Sequence, residues 1–282
     1  MKLVNQNAEV FVPNNSELEE ALGRTTHLAI GAHHDDLEIM AIDGILQCFQ
    51  QPDKWFSGVV VTNGSGSPRT GLYADYTDEQ MMDIRIVEQK KAALLGDYAA
   101  QIFLSYPSSA VKDGDNRETI ADLVQILQAT KPQVVYTHNL ADKHLTHIGV
   151  VVKVIQAIRE LPPGDRPQKL YGCEVWRGLD WIMDDEKVVF DCSGQTNLQA
   201  ALLGVFDSQL SGGKRYDLAT MGRRLANATF YASHDTDKAT GLAYAMDLST
   251  LIKDDNLEIT DFVQDFIHRF AQDVERMIVS VI

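Results

Sequence analysis

Apolar runs of strand length alternate with amphipathic segments through the first half of this 282-residue chain, and that alternation limits it to a small set of folds. Leu28–Ala32, Phe56–Thr62, Gln101–Tyr106 and Gln133–Tyr136 read as buried strands, and helical patterns near Asp78–Leu95 and Arg117–Thr130 lie between them. Strand and helix in turn predict an α/β fold with a mostly parallel sheet flanked by helices, because parallel neighbours need a long crossover that is usually helical. Gly96 predicts a helix stop, and Lys131-Pro132 marks the entry to the strand that follows.

After residue 150 the pattern loosens. Tyr171–Trp176 and Lys187–Asp191 read as strands around Trp181, followed by helices near 196–210 and 214–231 and an amphipathic helix near 259–280. The expectation is one domain over 1–282, with a core at about 25–160 and a C-terminal α+β extension at about 161–282, since single cores stop growing near this length.

Two polar clusters follow two of the apolar runs. Gly31-Ala32-His33-His34-Asp35-Asp36-Leu37-Glu38 packs two imidazoles and three carboxylates directly behind a strand, with helical pattern resuming near Ile39. Such a group is expensive to desolvate unless something pairs it, and a divalent cation does so directly; the alternative is a solvated strand-to-helix loop. Tyr136-Thr137-His138-Asn139-Leu140-Ala141-Asp142-Lys143-His144-Leu145-Thr146-His147 occupies the equivalent place behind a second strand. In open α/β sheets ligands bind beyond the carboxyl ends of the strands, so the clusters converge if those strands are neighbours.

The formal charge of −15 argues against binding nucleic acid or an anionic membrane surface, because both depend on Lys and Arg meeting phosphates. No stretch approaches the length of a membrane span and no basic-then-apolar leader opens the chain. Cys48, Cys173 and Cys192 have no paired spacing, which disfavours a Cys-based structural metal site and fits a reduced, cytoplasmic location. Asn63–Pro68 reads as a polar loop on the rim of the site, and it lacks the Gly-Lys-Ser/Thr of a nucleotide-binding loop.

The clusters also carry a family resemblance. Ala32-His33-His34-Asp35-Asp36 resembles the Ala/Pro-His-Pro-Asp-Asp signature, and Asp142-Lys143-His144-Leu145-Thr146-His147 the Asp-x-His-x-Asp-His signature, of the PIG-L/LmbE-like zinc-dependent de-N-acetylases. The resemblance covers about residues 25–150 and implies a Rossmann-like fold. It also implies removal of the acetyl group from an N-acetylglucosamine-type sugar conjugate, releasing acetate and an amine.

Carried over, it makes His33, Asp36 and His147 the ligands of one zinc ion, iron or cobalt being alternative ions, with a fourth place for water. Three N and O ligands with an open position suit a catalytic rather than a structural zinc. Asp35 corresponds to the general base, and His144 to the histidine that stabilises the oxyanion and assists the leaving amine. Asp142 corresponds to the carboxylate that orients His144; as a residue it reads equally as a helix cap.

Departures from the family pattern are His34 for Pro, Leu37 for Glu, Thr146 for Asp, and Ser108 where Asp is common. Glu38 is placed to meet the positive end of the following helix. Arg85 and Glu88 resemble the family's Arg-x-x-Glu, with Arg85 contacting substrate hydroxyls; the alternative is a surface pair. Asp75 and Tyr76 could line the rim. Arg223 and Arg224 could face an acidic substrate, but adjacent Arg residues in a helix point different ways and commonly both reach solvent; His234 could approach the metal cleft, with a surface or capping role the favoured alternative.

The expected partner is a small soluble sugar conjugate, with oligomeric state open. The alternatives are a metal-dependent hydrolase of another amide or ester, and a non-catalytic metal- or sugar-binding protein; Asp35 disfavours the last, since binding alone needs no base.

Overall fold

A computed structural model describes residues 1–282. Eight strands form one sheet: β1 (Glu9–Phe11), β2 (His27–Gly31), β3 (Phe56–Thr62), β4 (Ala100–Tyr106), β5 (Val134–His138), β6 (Lys169–Cys173), β7 (Val188–Asp191) and β8 (Leu242–Asp247). Their order is β1-β4-β3-β2-β5-β6-β8-β7. The five central strands, β4 to β6 in that order, are parallel; β1, β8 and β7 are antiparallel additions at the edges.

Every residue of β2 and β3 is buried, which is why they read as continuous apolar runs. Alternate side chains feed opposite layers. Leu28, Ile30, Val59 and Val61 join one core with the helices Glu118–Thr130 and Leu145–Glu160, while Ala29, Val60 and Phe56 join a second with the helix Ile42–Cys48. The helix Asp78–Leu95 opens on a capping box made by Thr77 and Gln80, and its buried face holds Arg85, Glu88 and Gln89 among smaller residues.

The structure differs from the sequence-based expectation at several points. Helix begins at Asp36 rather than near Ile39, because the turn is completed within the polar cluster. The region 196–210 is two helices, Thr196–Gly204 and Asp207–Leu210. β6 ends at Cys173, so Glu174–Trp176 leave the sheet. The two strands β1 and β8 were not expected. No helix is long and apolar enough to cross a membrane.

Candidate active site

β2 and β5 are parallel neighbours, with Leu28 beside Val135, so the two polar clusters emerge at the same sheet end. The sheet order reverses between these strands, with β3 and β4 on one side and β6 on the other. This is the switch point at which open α/β sheets bind ligands.

The first turn is strained. Asp35 has φ +89°, a region few residues other than glycine adopt and one that costs about 1–3 kcal/mol. Gln89 Oε1 accepts the Asp35 N–H at 3.1 Å, and Arg85 donates to the His34 carbonyl at 2.5 Å, so the long helix holds this turn in place. The strain separates the two carboxylates: Asp36 faces the second cluster and Asp35 faces Arg85.

His33 Nδ1, Asp36 Oδ2 and His147 Nε2 form a triangle with edges of 3.2, 3.2 and 3.5 Å. Three donors held 2.0–2.1 Å from one tetrahedral ion are separated by about 3.3 Å, so the spacing fits a divalent metal. The proton positions agree. His147 Nδ1 lies 3.2 Å from Asp142 Oδ2, an acceptor that favours the tautomer with the ring hydrogen on Nδ1, and that tautomer leaves Nε2 a lone pair facing His33 Nδ1 and Asp36 Oδ2. Three converging acceptors call for a cation. His144 can join His33 and His147 around the same point, and His138 lies within reach of Asp36 and His147. The His138 Nε2 lone pair, however, already accepts the Ala32 N–H at 2.9 Å, and the ring stacks on His147 with centroids 3.8 Å apart, so His138 supports the site instead of ligating.

Asp142 does not orient His144. Its Oδ2 meets His147 and the Trp176 N–H, and its Oδ1 accepts only the backbone N–H of His144. Burial pushes its carboxyl up, but the hydrogen bond and charge of His147, the charge of His138 and the His144 N–H together outweigh this and hold it below the usual range. His144 lies at the start of the helix Leu145–Glu160, its ring 5.1 Å from that of His33. Burial and the neighbouring imidazoles lower its pKa to about 4, so its ring is neutral at pH 7.

Burial drives the Asp35 carboxyl well up, Arg85 pulls it down from 3.5 Å, and Asp36, Glu38 and Glu88 push it up again. A metal cation beside Asp36 would pull in the same direction as Arg85. Asp35 Oδ2 makes no hydrogen bond. Arg85 is buried rather than on a solvated face, and also donates to Ser67 Oγ at 2.5 Å. Glu88 is occupied by the Ser208 N–H and hydroxyl.

Glu38 meets Gln89 and Tyr98 in a fully buried position, which raises its carboxyl to about 7; it does not serve the helix dipole at a solvent-exposed end. His34 stacks on Phe103 with both ring nitrogens unpaired. Arg224 is buried, donating to the Glu38 and Ile39 carbonyls and to Gln199, whereas Arg223 reaches the cleft. His234 is exposed and away from the cleft, and Asp75 and Tyr76 do not line it.

The cleft has a volume of about 630 Å³, and His33, Asp35, Asp36, Arg85, His144 and Thr146 contribute to its wall. The loop residues Gly64, Gly66, Ser67 and Pro68 form part of the rim, together with Ser108. Trp176, Lys214 and Tyr216 complete the wall from the C-terminal half, and sequence reasoning missed all three as site residues. Trp176 closes an expected strand, but the other two sit at a helix start with no local motif.

Residues 28–158 match the family described as PIG-L: GlcNAc-PI de-N-acetylase. No curated protein matches the chain. Among solved structures the fold is similar to that of conserved protein TT1542 from Thermus thermophilus, with TM-score 0.63, 15% identity, and coverage of 79% of this chain and 94% of that one. It is similar to N,N'-diacetylchitobiose deacetylase from Pyrococcus horikoshii, with TM-score 0.61, 17% identity, and coverage of 84% and 88%. It is also similar to GalB, the 4-carboxy-2-hydroxymuconate hydratase from Pseudomonas putida, with TM-score 0.57, 15% identity, and coverage of 79% and 96%. At these identities the likeness establishes the shared α/β fold, which hosts more than one chemistry.

Proposed function

We propose, from the premise that this chain carries a PIG-L family domain over residues 28–158, that it is a zinc-dependent hydrolase. It removes the N-acetyl group from an N-acetylglucosamine-type sugar conjugate and releases acetate and a free amine. The observation that carries this reading is the triangle of His33, Asp36 and His147 beside an Asp35 oxygen that accepts no hydrogen bond, with His33, Asp35 and Asp36 opening onto one cleft.

His33, Asp36 and His147 would hold the ion. Zinc bound there supplies Lewis acidity toward a carbonyl oxygen and lowers the pKa of water to about 7. Asp35 Oδ2 takes the proton of the attacking water and returns it to the nitrogen as the C–N bond breaks, so one carboxylate serves as base and then acid. Arg85, 3.5 Å away, favours the ionised form of that carboxylate against the burial that raises its pKa. His144, neutral at pH 7, donates an N–H to the developing oxyanion; its low pKa leaves delivery of the amine proton to Asp35. Asp142 fixes the tautomer of His147.

The test is a titration of metal-stripped protein with zinc while acetate and amine release from N-acetylglucosamine conjugates are followed together. Equal release of both products, rising to a plateau at one ion per chain, is expected. Release that ignores zinc, or none from any acetamido sugar at full loading, contradicts the assignment.

A further inference from the structure

Donation to a developing oxyanion needs the His144 imidazole aimed at one point, yet no hydrogen bond fixes that ring. Asp142 meets only the His144 backbone N–H, and His144 Nδ1 is buried with no hydrogen-bond partner. The last torsion of a histidine side chain is soft, so a ring without such a partner needs another contact to hold its plane.

The contact that remains is aromatic. The Trp176 ring lies nearly parallel to the imidazole, with 14° between the planes and 6.2 Å between the centroids, an offset arrangement that aromatic pairs favour. His33 meets the same imidazole edge-on, at 82° and 5.1 Å. The imidazole therefore has one neighbour that sets its plane and one that abuts it, and of the two only Trp176 is free of the ligand triangle.

Trp176 is itself held without help from the His144 ring. It follows directly on the end of β6, where three successive residues are pinned. Glu174 accepts the Leu179 and Tyr244 N–H groups at 2.8 and 2.9 Å and the Asn227 amide at 3.0 Å. Arg223 donates to the Val175 carbonyl at 2.5 Å, and the Trp176 N–H donates to Asp142 Oδ2 at 3.2 Å. Tyr216 meets the indole edge-on at 6.0 Å, and Lys143 and Lys214 place their ammonium groups 5.9 and 5.2 Å from its centre. The imidazole and these two cations cover the indole, so it has no free face for a substrate ring and acts on the site through His144.

We propose that Trp176 is a positioning residue for His144: its indole, in place of a hydrogen-bonded carboxylate, holds the imidazole toward the point where the oxyanion develops. The effect on turnover rests on the deacetylation reading above; the holding of the ring rests on the stacking itself.

The experiment measures kcat and KM for acetate release from methyl N-acetylglucosaminide, together with crystal structures, for zinc-loaded native protein, Trp176→Leu and Trp176→Phe. Kinetics of His144→Gln and of His144→Gln/Trp176→Leu complete the set. Trp176→Leu should lower kcat about tenfold at near-native KM and native zinc content, because misplacing a reacting group by about 1 Å can cost about 10²-fold. Its His144 ring should leave the native plane. Trp176→Phe keeps a flat face and should bring kcat to within about threefold of native, with the ring in place. In the His144→Gln background Trp176→Leu should cost less than about twofold, since residues that act through one group are not additive.

An unchanged kcat in Trp176→Leu, a loss that falls on KM, a Phe variant no better than Leu, or an undiminished loss in the His144→Gln background overturns the role while leaving deacetylation intact. If Trp176→Leu does not fold, Trp176→Met, which fills the space without a flat ring, takes its place. If the native protein releases no acetate, the reaction assignment has failed, and the structures decide the positioning. A displaced imidazole in the Leu variant that the Phe variant restores supports it, and an unmoved imidazole overturns it.

Discussion

Replacing Asp142 by Asn should weaken zinc binding although Asp142 is not itself a ligand. In the native protein Asp142 Oδ2 lies 3.2 Å from His147 Nδ1 and 3.2 Å from the Trp176 N–H, while Oδ1 accepts the His144 N–H at 3.1 Å. Asparagine keeps one oxygen and gains two N–H donors. If that oxygen serves the His144 N–H, the amide nitrogen stands in the place of Oδ2 and faces His147 Nδ1, which must become the acceptor, and the ring hydrogen moves to Nε2. That is the atom 3.2 Å from His33 Nδ1 and 3.5 Å from Asp36 Oδ2, where an ion would need a lone pair.

Loss of such an outer partner costs about 10–100-fold in metal affinity, or about 1.4–2.7 kcal/mol. The fold loses some stability too, since the nitrogen standing in the place of Oδ2 leaves the Trp176 backbone N–H without its acceptor, at about 1.5–3 kcal/mol for the lost charge-assisted bond. The assay is competition for zinc against a chelator of known affinity, with circular dichroism confirming that the variant is folded. Native zinc affinity in folded Asp142→Asn would refute the assignment of His147 Nε2 as a donor fixed by Asp142.

Three further outcomes are expected. Arg85→Met removes the cation that favours ionised Asp35, so the acid limb of the kcat/KM profile should move upward by about one pH unit or more; a pH–rate profile with that limb in its native place would contradict the role given to Arg85. Burial, with Lys54 adding, lowers His27 to about 4, so the unfolded chain alone takes up this proton as pH falls from 6.5 toward 4. Stability should therefore drop by up to about 3 kcal/mol over that window, and urea denaturation at its two ends should show a shallower fall in His27→Gln. Gly44→Ala would place a methyl 2.6 Å from Tyr136 Cε2 and 3.2 Å from Phe56 Cε2, costing about 1–3 kcal/mol by overpacking, and an unchanged denaturation midpoint would show that the helix Ile42–Cys48 can shift.

The central sheet was legible because β2 to β5 are buried on both faces and therefore carry unbroken apolar runs. β8 was not, since Leu242-Ala243-Tyr244-Ala245-Met246-Asp247 is a short run whose small residues fit several conformations; it becomes a strand by pairing with β6 and β7. The two polar clusters that hold His33, Asp36 and His147 were visible locally, whereas the choice of these three among their neighbours came from the family resemblance. Arg85 was harder to place, because its spacing from Glu88 resembles a surface pair and only the tertiary position of the helix Asp78–Leu95 buries it.

The partner of Asp142 was misassigned for a geometric reason. Sequence adjacency favours His144, but that residue's side chain lies before the helix while His147 is turned back toward the carboxylate. The Lys214, Tyr216 and Arg223 wall carries no local signature. Its residues meet Trp176 only because the helix Tyr216–Phe230 lies over the sheet end beside β8.

The most direct measurement compares metal content and amine release in the native protein and Asp35→Asn, using the same N-acetylglucosamine conjugates. One zinc per chain in both, with turnover reduced about 10²–10⁴-fold in the variant, is the expected result, because Asp35 moves the proton without holding the ion. Undiminished turnover in Asp35→Asn would contradict the proton-transfer role of Asp35, and loss of zinc from the variant would contradict the separation of base from ligands.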